Sequence, residues 1–330
     1  MFTSRVVGAL LTLVTVLPAE AREFRSSDAY PFAHPTVQGV VQADKLMRER
    51  SGGKLGIKPG HDDTESENYV LAQVRSGTLD MARLNLSVLG NLVPSSVVFS
   101  LPYLFRSKEH ARRTFDGPIG QELLASLESH GLVGLCIYDG GPRSFYSVER
   151  PLRTPDDLKG LKVRVQPSDS WAVMVRALGA EPVAVPTERI YRSLQAGALD
   201  VVSQSWPAYV LMRHYQVAPY FSLTEHSMAP SVVVFSKLVW DTLSADDKAV
   251  IRSAAKDSVP HMRRLWDELT VSGRQVVVQG GGKIVDDVDR KAFSERLVPL
   301  YGSVVDSDLL NSVVRRIQAD DHAELSKRLH

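Results

Sequence analysis

The sequence predicts an α/β protein with mainly parallel sheets, and three observations support this fold class. Short apolar stretches typical of strands alternate along the chain with longer amphipathic stretches typical of helices. A second series of such stretches begins near residue 143, after the turn Gly140-Gly141-Pro142, so we expect two units. The third observation is a helix candidate over 244–279, which at about 1.5 Å per residue is longer than a typical domain is wide.

The first unit begins with strand and helix patterns in alternation. Residues 22–28 are predicted to form a strand, and 36–51 form a helix because apolar residues recur at helical spacing before Gly52-Gly53. The later elements of this unit are a helix closed by Gly77 and three strands. We expect that helix over 65–76 and the strands over 55–57, 81–86 and 132–138.

The second unit opens on a helix start. Thr154 is a good N-cap residue, and Pro155 stands at the first helical position. Residues 161–165 alternate between polar and apolar, as a half-buried strand does. The remaining elements are helices over 168–178 and 188–196 and strands over 182–185, 199–202 and 232–235, the last being the most apolar.

The long helix candidate carries its own start signal. Ser244 and Asp247 fit a capping box, and one apolar stripe continues past Pro260, where we expect a kink. A continuous stripe of this length should pack against both units. Gly280-Gly281-Gly282-Lys283 follows this helix and is interpreted as its terminator, since a phosphate-binding loop would precede a helix.

Composition excludes several classes of protein. The 330 residues contain 39 Lys and Arg against 38 Asp and Glu, and a net charge of +1 argues against nucleic-acid binding and against a polybasic membrane surface. The single cysteine, Cys136, excludes an intramolecular disulfide and a cysteine-based structural zinc site. It lies in an apolar strand, so we interpret it as a small buried side chain and not as a nucleophile.

The N-terminus has the pattern of a secretory signal peptide. Arg5 precedes an apolar run over 6–17, which is followed by Pro18 and Ala19-Glu20-Ala21. The run is shorter than the roughly 20 apolar residues of a membrane span, which disfavours a permanent anchor. We therefore expect cleavage near Ala21, a periplasmic location in a Gram-negative bacterium and no stable membrane insertion.

Motifs for catalysis and cofactor binding are missing from the sequence. It has no G-x-S-x-G, H-E-x-x-H, G-x-x-x-x-G-K-[ST] or strand-linked G-x-G-x-x-G motif. His61-Asp62-Asp63 could ligate a metal but is typical of a solvated loop. We expect no enzyme, no catalytic residues, no metal site and no cofactor.

Polar side chains instead follow several predicted strands. Arg164 lies near the carboxyl end of its strand, where open α/β sheets bind ligands, and an arginine can hold a carboxylate through two parallel N–H···O bonds. The alternative is a surface arginine paired with a nearby aspartate. Arg143 follows the Gly-Gly-Pro turn, and 203–206 follow another strand end with groups suited to sugar hydroxyls, unless this is an ordinary loop. His34 and His226 lie in loops near prolines and have no role by default.

Five stretches together resemble a known family, namely 77–81, 101–105, 156–164, 178–182 and 191–200. Over the whole mature chain the sequence resembles the DctP-type periplasmic solute-binding proteins of tripartite ATP-independent periplasmic (TRAP) transporters, most specifically at 160–165. The resemblance implies two α/β lobes that close like a flytrap, joined by crossing segments and spanned by a long helix. It also implies that Arg164 holds the substrate carboxylate and that Arg143 is a second basic position near it.

A closer resemblance is to the branch of this family that binds hexuronates and related sugar acids. It rests on segments such as 143–146, 206–209 and 225–230. The ligand-binding residues it implies are Arg164, Arg143, Asp28, His34, Glu67, Arg83, Asn85, Phe145, Gln166, Ser203, Gln204, Ser205, Trp206 and His226. The branch usually has Asp-Gly-Ala-Glu-Asn-Asn before its Trp-Pro, whereas this chain has Ser203-Gln204-Ser205 at the last three positions. Which sugar acid fits is therefore open.

The resemblance also suggests boundaries and a function. Residues 22–142 and 231–268 would form lobe I, and 143–230 and 269–330 would form lobe II. The protein would capture a small carboxylate, D-glucuronate or D-galacturonate first, and deliver it to the TRAP permease. The alternatives are an aldonate, a keto acid or an aromatic acid as ligand, a periplasmic sensor, or an enzyme acting on sugar acids.

Overall fold

A computed structural model describes residues 21–61, 66–166, 169–228, 230–305 and 307–328. Residues 1–20, which carry most of the expected signal peptide, lie outside the described residues. So do Asp62 and Asp63 of the possible metal cluster.

The elements follow the predicted order closely. The strands are β1 (Arg22–Asp28), β2 (Leu55–His61), β3 (Met81–Asn85), β4 (Leu132–Tyr138), β5 (Pro142–Ser147), β6 (Lys162–Val165), β7 (Glu181–Ala184), β8 (Val201–Ser205), β9 (Tyr220–Met228), β10 (Ser231–Ser236) and β11 (Lys283–Val285). The helices are α1 (Pro35–Ser51), α2 (Glu67–Ser76), α3 (Ser95–Val98), α4 (Lys108–Asp116), α5 (Pro118–Ser126), α6 (Asp169–Ala177), α7 (Ile190–Gln195), α8 (Trp206–Leu211), α9 (Lys237–Trp240), α10 (Ala245–Gln279), α11 (Arg290–Leu297), α12 (Tyr301–Val304) and α13 (Asp308–Arg328). The predicted helix start at Thr154 is a short 3₁₀ turn, Pro155–Leu158, in which Thr154 is the N-cap residue and forms a capping box with Asp157.

Two sheets form the cores of two lobes. The first has the order β2-β1-β3-β10-β4 and the second β11-β9-β5-β8-β6-β7. The sheets are mixed, because β10 runs antiparallel to β3 and β4, and β5 runs antiparallel to β8 and β9. These antiparallel strands follow directly on the crossings between lobes, from β4 to β5 and from β9 to β10. Strands β4 and β9 end at the side of their sheet that faces the other lobe. The next strand enters the other sheet from that interlobe side and therefore runs opposite to its neighbours.

The long helix α10 is the third connection between the lobes. Ser244 caps its N-terminus by accepting a hydrogen bond from the Asp247 amide, which is one of the two bonds of the predicted capping box, and the helix continues through Pro260. Its N-terminal two thirds place Ile251, Met262 and Trp266 in the core of the first lobe. Val277 lies in the core of the second lobe. The helix therefore spans both lobes, as its apolar stripe predicts.

The C-terminal part of the predicted second lobe is divided between the two lobes. In α11, Phe293 and Leu297 pack in the core of the second lobe. In α13, Leu310 and Ile317 pack with Phe115 in the core of the first. Placing all of 269–330 in lobe II is therefore wrong for this last helix. The sequence shows that α13 has an apolar face but not which lobe that face covers.

Candidate functional site

Three arginines are buried between the lobes. The exposed fractions of Arg83, Arg143 and Arg164 are 1%, 3% and 2%. Arg83 lies on β3 of the first lobe, and Arg143 and Arg164 lie on β5 and β6 of the second. Burying a guanidinium is costly unless charge or hydrogen bonds compensate, so the partners of each arginine decide its function.

Arg164 has a guanidinium that is only partly satisfied. Its Nε donates to the carbonyl oxygen of Val185 at 2.8 Å, and Nη2 donates to Thr187 Oγ1 at 3.2 Å. Among the described residues, Nη1 has no hydrogen-bond partner although it is buried. The alternative of a surface arginine is wrong, since the side chain is buried and its described hydrogen bonds go to an oxygen of the backbone and to a hydroxyl. Burial lowers the pKa of Arg164.

Arg143 is held by the residues that depart from the branch pattern. Its Nε donates to Ser203 Oγ at 3.0 Å and its Nη1 to Gln204 Oε1 at 3.2 Å, while Nη2 donates to the Ser203 carbonyl. Its guanidinium carbon lies 5.1 Å from the centre of the Trp171 ring. Burial, followed by repulsion from Arg164, lowers the pKa of Arg143 to about 10, so it remains a cation at neutral pH. Two like charges thus share a buried region, which favours an anion between them.

Ser203, Gln204 and Ser205 do not follow a strand end, as expected, but belong to β8 itself. They pair with Phe145, Ser144 and Arg143 of β5. The strand is longer than its apolar residues indicate because β5 supplies a hydrogen-bonding partner from a distant part of the chain. Their side chains are therefore fixed by the sheet and not mobile in a loop.

His226 also lies in a strand, β9, and not in the expected loop. Its ring stacks on Phe145 with centroids 4.1 Å apart, and its Nε2 lies 2.9 Å from Ser203 Oγ. Burial, followed by the charge of Arg143, holds the pKa of His226 well below its usual value. The neutral imidazole therefore fixes Ser203, which in turn holds Arg143.

The first lobe contributes a compact group of charged residues. Arg83 donates from Nε to Asp28 Oδ2 at 3.0 Å and from Nη2 to Asp28 Oδ1, and its Nη1 donates to Glu67 Oε1 at 3.1 Å. Asn85 donates to Glu67 from its backbone at 3.1 Å and from its side chain at 2.7 Å. Two carboxylates share one arginine, so this group carries one net negative charge.

Tyr30 and His34 cover this charged group. Their rings stack with centroids 4.0 Å apart, and the Arg83 guanidinium carbon lies 4.6 Å from the centre of the Tyr30 ring. His34 also accepts from the Thr36 amide at the start of α1. Sequence reasoning missed Tyr30, Trp171 and Thr187, because nothing in their local pattern separates them from core or loop residues.

The two lobes meet around a small cavity of about 20 Å³, enough for one water. Glu67 lines it from the first lobe, and Arg164, Gln166 and Glu188 line it from the second. Ser87 of the first lobe donates to Gln166 Oε1 of the second, so the lobes are closed against each other. The buried amide nitrogen of Gln166 has no partner within the described chain, nor does that of Gln204. The unpartnered N–H groups of Arg164 and Gln166, which line the cavity, suit a ligand with acceptor oxygens.

A larger opening of about 600 Å³ lies beside the crossings between the lobes. Of the charged residues that line it, Arg290 pairs with Glu225 at 2.7 Å and Lys108 pairs with Asp267 at 2.9 Å. These cations already have acidic partners, so the smaller cavity with the unpaired guanidinium is the better candidate for an anion site.

Trp206 is one predicted site residue that the structure places elsewhere. It begins α8 and packs in the core of the second lobe, with its ring centroid 4.8 Å from that of Phe221. Its indole nitrogen faces Gly273 of α10. Trp206 therefore connects the second sheet to the long helix, while the other predicted residues cluster around the three arginines.

The described ranges contain neither a metal-binding cluster nor a helix suited to a membrane span. Within them, no three His, Cys, Asp or Glu side chains are grouped so that they could hold a metal ion. No helix in the same ranges combines the length and apolar character needed to cross a bilayer. Cys136 is buried, as predicted, and burial raises the pKa of its thiol to about 12, which leaves it unreactive at neutral pH.

Two lobes around a cavity with unpaired buried cations define a binding protein for small anions. Residues 27–308 match the family described as bacterial extracellular solute-binding protein, family 7 (DctP). The chain belongs to this family, the solute-binding proteins of TRAP transporters. The two-lobed fold and the family predicted from the sequence are thereby confirmed.

Three similar proteins are named for the sugar acids that they bind. A TRAP periplasmic solute-binding protein from Bradyrhizobium, solved in complex with α/β-D-galacturonate, is 45% identical with a TM-score of 0.88, covering 90% of this chain and 100% of that one. A second, from Chromohalobacter salexigens with bound D-glucuronate, is 33% identical with a TM-score of 0.86, covering 90% and 99%. The 2,3-diketo-L-gulonate-binding periplasmic protein YiaO of Escherichia coli is 33% identical over 76% of this chain and 77% of its own.

Proposed function

We propose that this protein captures a hexuronate, D-glucuronate or D-galacturonate, and delivers it to the membrane permease of a TRAP transporter. The observation that carries the proposal is the buried Nη1 group of Arg164, which lacks a partner among the described residues. A ligand carboxylate would accept from this group and from Arg143, which faces the same charged region. The relatives with bound galacturonate and glucuronate support the same ligand class.

The remaining site residues divide into binding and positioning roles. The carboxylate of Asp28 accepts from Arg83, from the Tyr30 amide at 3.0 Å and from the Thr36 hydroxyl at 3.2 Å, so it positions Arg83. Glu67 accepts three described hydrogen bonds, which leaves one acceptor site for a sugar hydroxyl. Gln166 and Gln204 offer amide N–H groups to ring or hydroxyl oxygens.

Capture involves closure of the lobes and no chemical step. A ligand held by Arg164 on one lobe and by Glu67 on the other bridges the lobes beside the Ser87–Gln166 contact and stabilises a closed form. Because the cavity of this structure has room for about one water, the lobes must stand further apart around a hexuronate than they do here. The closed protein would then dock on the permease and release its ligand there. The proposal places the mature protein, beginning after cleavage near Ala21, in the periplasm.

Thermal unfolding of the mature protein, beginning at residue 22, tests the proposal. Glucuronate and galacturonate should raise the melting temperature by mass action, whereas glucose, which lacks the carboxylate, should not. Gluconate and a keto acid in the same panel report how far Ser203-Gln204-Ser205 have changed the preference. Equal stabilisation by glucose, or none by any carboxylate, would refute the proposal. Mass spectrometry of the exported protein checks the cleavage site separately.

A further inference from the structure

The charges around the cavity are unevenly distributed. Arg164 lines the cavity, Arg143 lies close enough to repel it, and neither forms a salt bridge within the described chain. The first-lobe group of Asp28, Arg83 and Glu67 is net negative, because two carboxylates pair with one guanidinium. Glu188, half-buried beside Thr187, is the second acid that lines the cavity, after Glu67. One end of a bound molecule therefore meets cations and another part meets carboxylates.

Glu67 is the acid best placed to sense a ligand. Its side chain is 11% exposed and lines the same cavity as Arg164. It interacts electrostatically with both Arg164 and Arg143, although it touches neither in the described contacts. Because Glu67 and Arg164 line the same small cavity, a ligand held by Arg164 extends close to the Glu67 carboxylate.

The acceptor sites of the Glu67 carboxylate determine which ligand groups can bind beside it. An ionised carboxylate has about four acceptor sites and no donor. Oε1 of Glu67 accepts from Arg83 and from the Asn85 amide, and Oε2 accepts from the Asn85 side chain. The remaining site needs a donor, which a sugar hydroxyl supplies. A ligand carboxylate supplies only acceptors and a like charge, which is unfavourable in a buried cavity.

We infer that the cavity selects sugar acids with a single carboxylate and rejects sugar dicarboxylates of the same length, and that Glu67 is the discriminating residue. This inference rests on the proposed function, since it assumes that one carboxylate is held by Arg164. It goes further by assigning the opposite end of the ligand: an uncharged carbon that bears a hydroxyl faces Glu67. Glu188 reinforces the selection from the rim.

Calorimetry with matched ligands tests the inference. D-Glucuronate and D-glucarate differ in the second carboxylate, and D-gluconate is an open-chain monocarboxylate that controls for the loss of the ring. We expect glucarate to bind at least about 100-fold more weakly than glucuronate, because a like-charge contact in a buried site is strongly unfavourable. The variant Glu67→Gln keeps the shape and an acceptor for Arg83 but removes the charge. It should reduce the preference for glucuronate over glucarate by at least about tenfold.

Glu188→Gln is the second variant, and it keeps the test valid if Glu67→Gln does not fold. It removes a partly exposed charge at the rim and should reduce the same preference by a smaller factor. Glucarate binding to the unsubstituted protein within about fivefold of glucuronate would overturn the inference and leave the proposed function intact. An unchanged preference in both folded variants would assign selection to shape and overturn the role of Glu67. Failure of the unsubstituted protein to bind any uronate would instead refute the proposed function.

Discussion

Replacing Arg164 by methionine should separate ligand affinity from stability. Methionine retains much of the unbranched side-chain volume but removes every N–H group. The two hydrogens of Nη1 lack a partner among the described residues, so the ligand is their only proposed acceptor. Two charge-assisted hydrogen bonds contribute about 1.5–3 kcal/mol each, and every 1.4 kcal/mol or so is tenfold in affinity. We expect glucuronate to bind at least about 30-fold more weakly, and 100-fold or more if both bonds are formed.

The same substitution should not destabilise the ligand-free protein. Arg164 is 2% exposed and has no acidic partner in its described contacts, so the folded protein bears the desolvation cost of its charge. Against this, methionine leaves the carbonyl of Val185 and the hydroxyl of Thr187 without their donor, a cost of about 1–3 kcal/mol at most sites. We expect these effects to offset, so that the melting temperature without ligand changes by only a few degrees.

Isothermal titration calorimetry and thermal unfolding on the same preparations measure both quantities. Arg192→Ala is the matched control, because Arg192 is an exposed arginine on α7 of the same lobe and should leave affinity and stability unchanged. Arg164→Lys keeps the charge but loses the planar pair of donors, so its affinity for glucuronate should lie between those of the unsubstituted protein and Arg164→Met. An Arg164→Met protein that binds glucuronate within about threefold of the unsubstituted protein would refute the assigned role.

Three further predictions concern closure of the lobes, the turn between β4 and β5, and the pH dependence of stability. Ser87→Ala removes the hydrogen bond from Ser87 to Gln166 across the lobes and should raise the ligand dissociation rate about 2- to 10-fold in stopped-flow fluorescence; an unchanged rate would argue against this bond in the closed form. Gly141→Ala places a Cβ 2.6 Å from the Trp266 indole nitrogen at a φ of 58°, so it should destabilise by about 2 kcal/mol or more. Gly197→Ala, at a φ of 70° with no atom within 4 Å, should cost only about 1–2 kcal/mol in the same urea titration, and equal losses would contradict the clash. Stability should also fall below pH 6.5, because burial keeps three imidazoles neutral in the folded protein while the unfolded chain binds their protons, at about 1 kcal/mol each between pH 6.5 and 5.5. The three side chains are His34, His214 and His226, and the pKa of His214 is lowered to about 3. A stability that does not change over that pH range would show that these side chains do not stay neutral.

Local signals in the sequence predict most of the secondary structure. The capping residue Ser244, the stop at Gly52-Gly53 and the apolar period of α10 depend only on residues within a few turns of one another. Strand ends were less well predicted. The strand predicted over 199–202 is found at Val201–Ser205, because its pairing with β5 involves residues about 60 positions away. The predicted kink at Pro260 stays a prediction.

The partners of the charged residues could not be predicted from local pattern. The sequence identifies Arg83, Asp28 and Glu67 as members of one site through family resemblance, but it does not show that Arg83 takes both carboxylates. That pairing joins residues 55 and 16 positions apart. Because Arg83 is paired with both carboxylates, the first-lobe group is net acidic and lies opposite two arginines that have no acidic partner among the described residues.

By itself, the sequence determined the class of this protein: two α/β units bridged by a long helix, with arginines at strand ends suited to an organic anion. These features follow from periodicity, caps and residue type, which act over short stretches of chain. Only the tertiary structure decided that one Arg164 nitrogen has no partner among the described residues, that Ser203 and Gln204 hold Arg143 from within a strand, and that α13 returns to the first lobe. Each of these features depends on contacts between residues that are far apart in the sequence. Such contacts form, and exclude water, only when the lobes fold and pack.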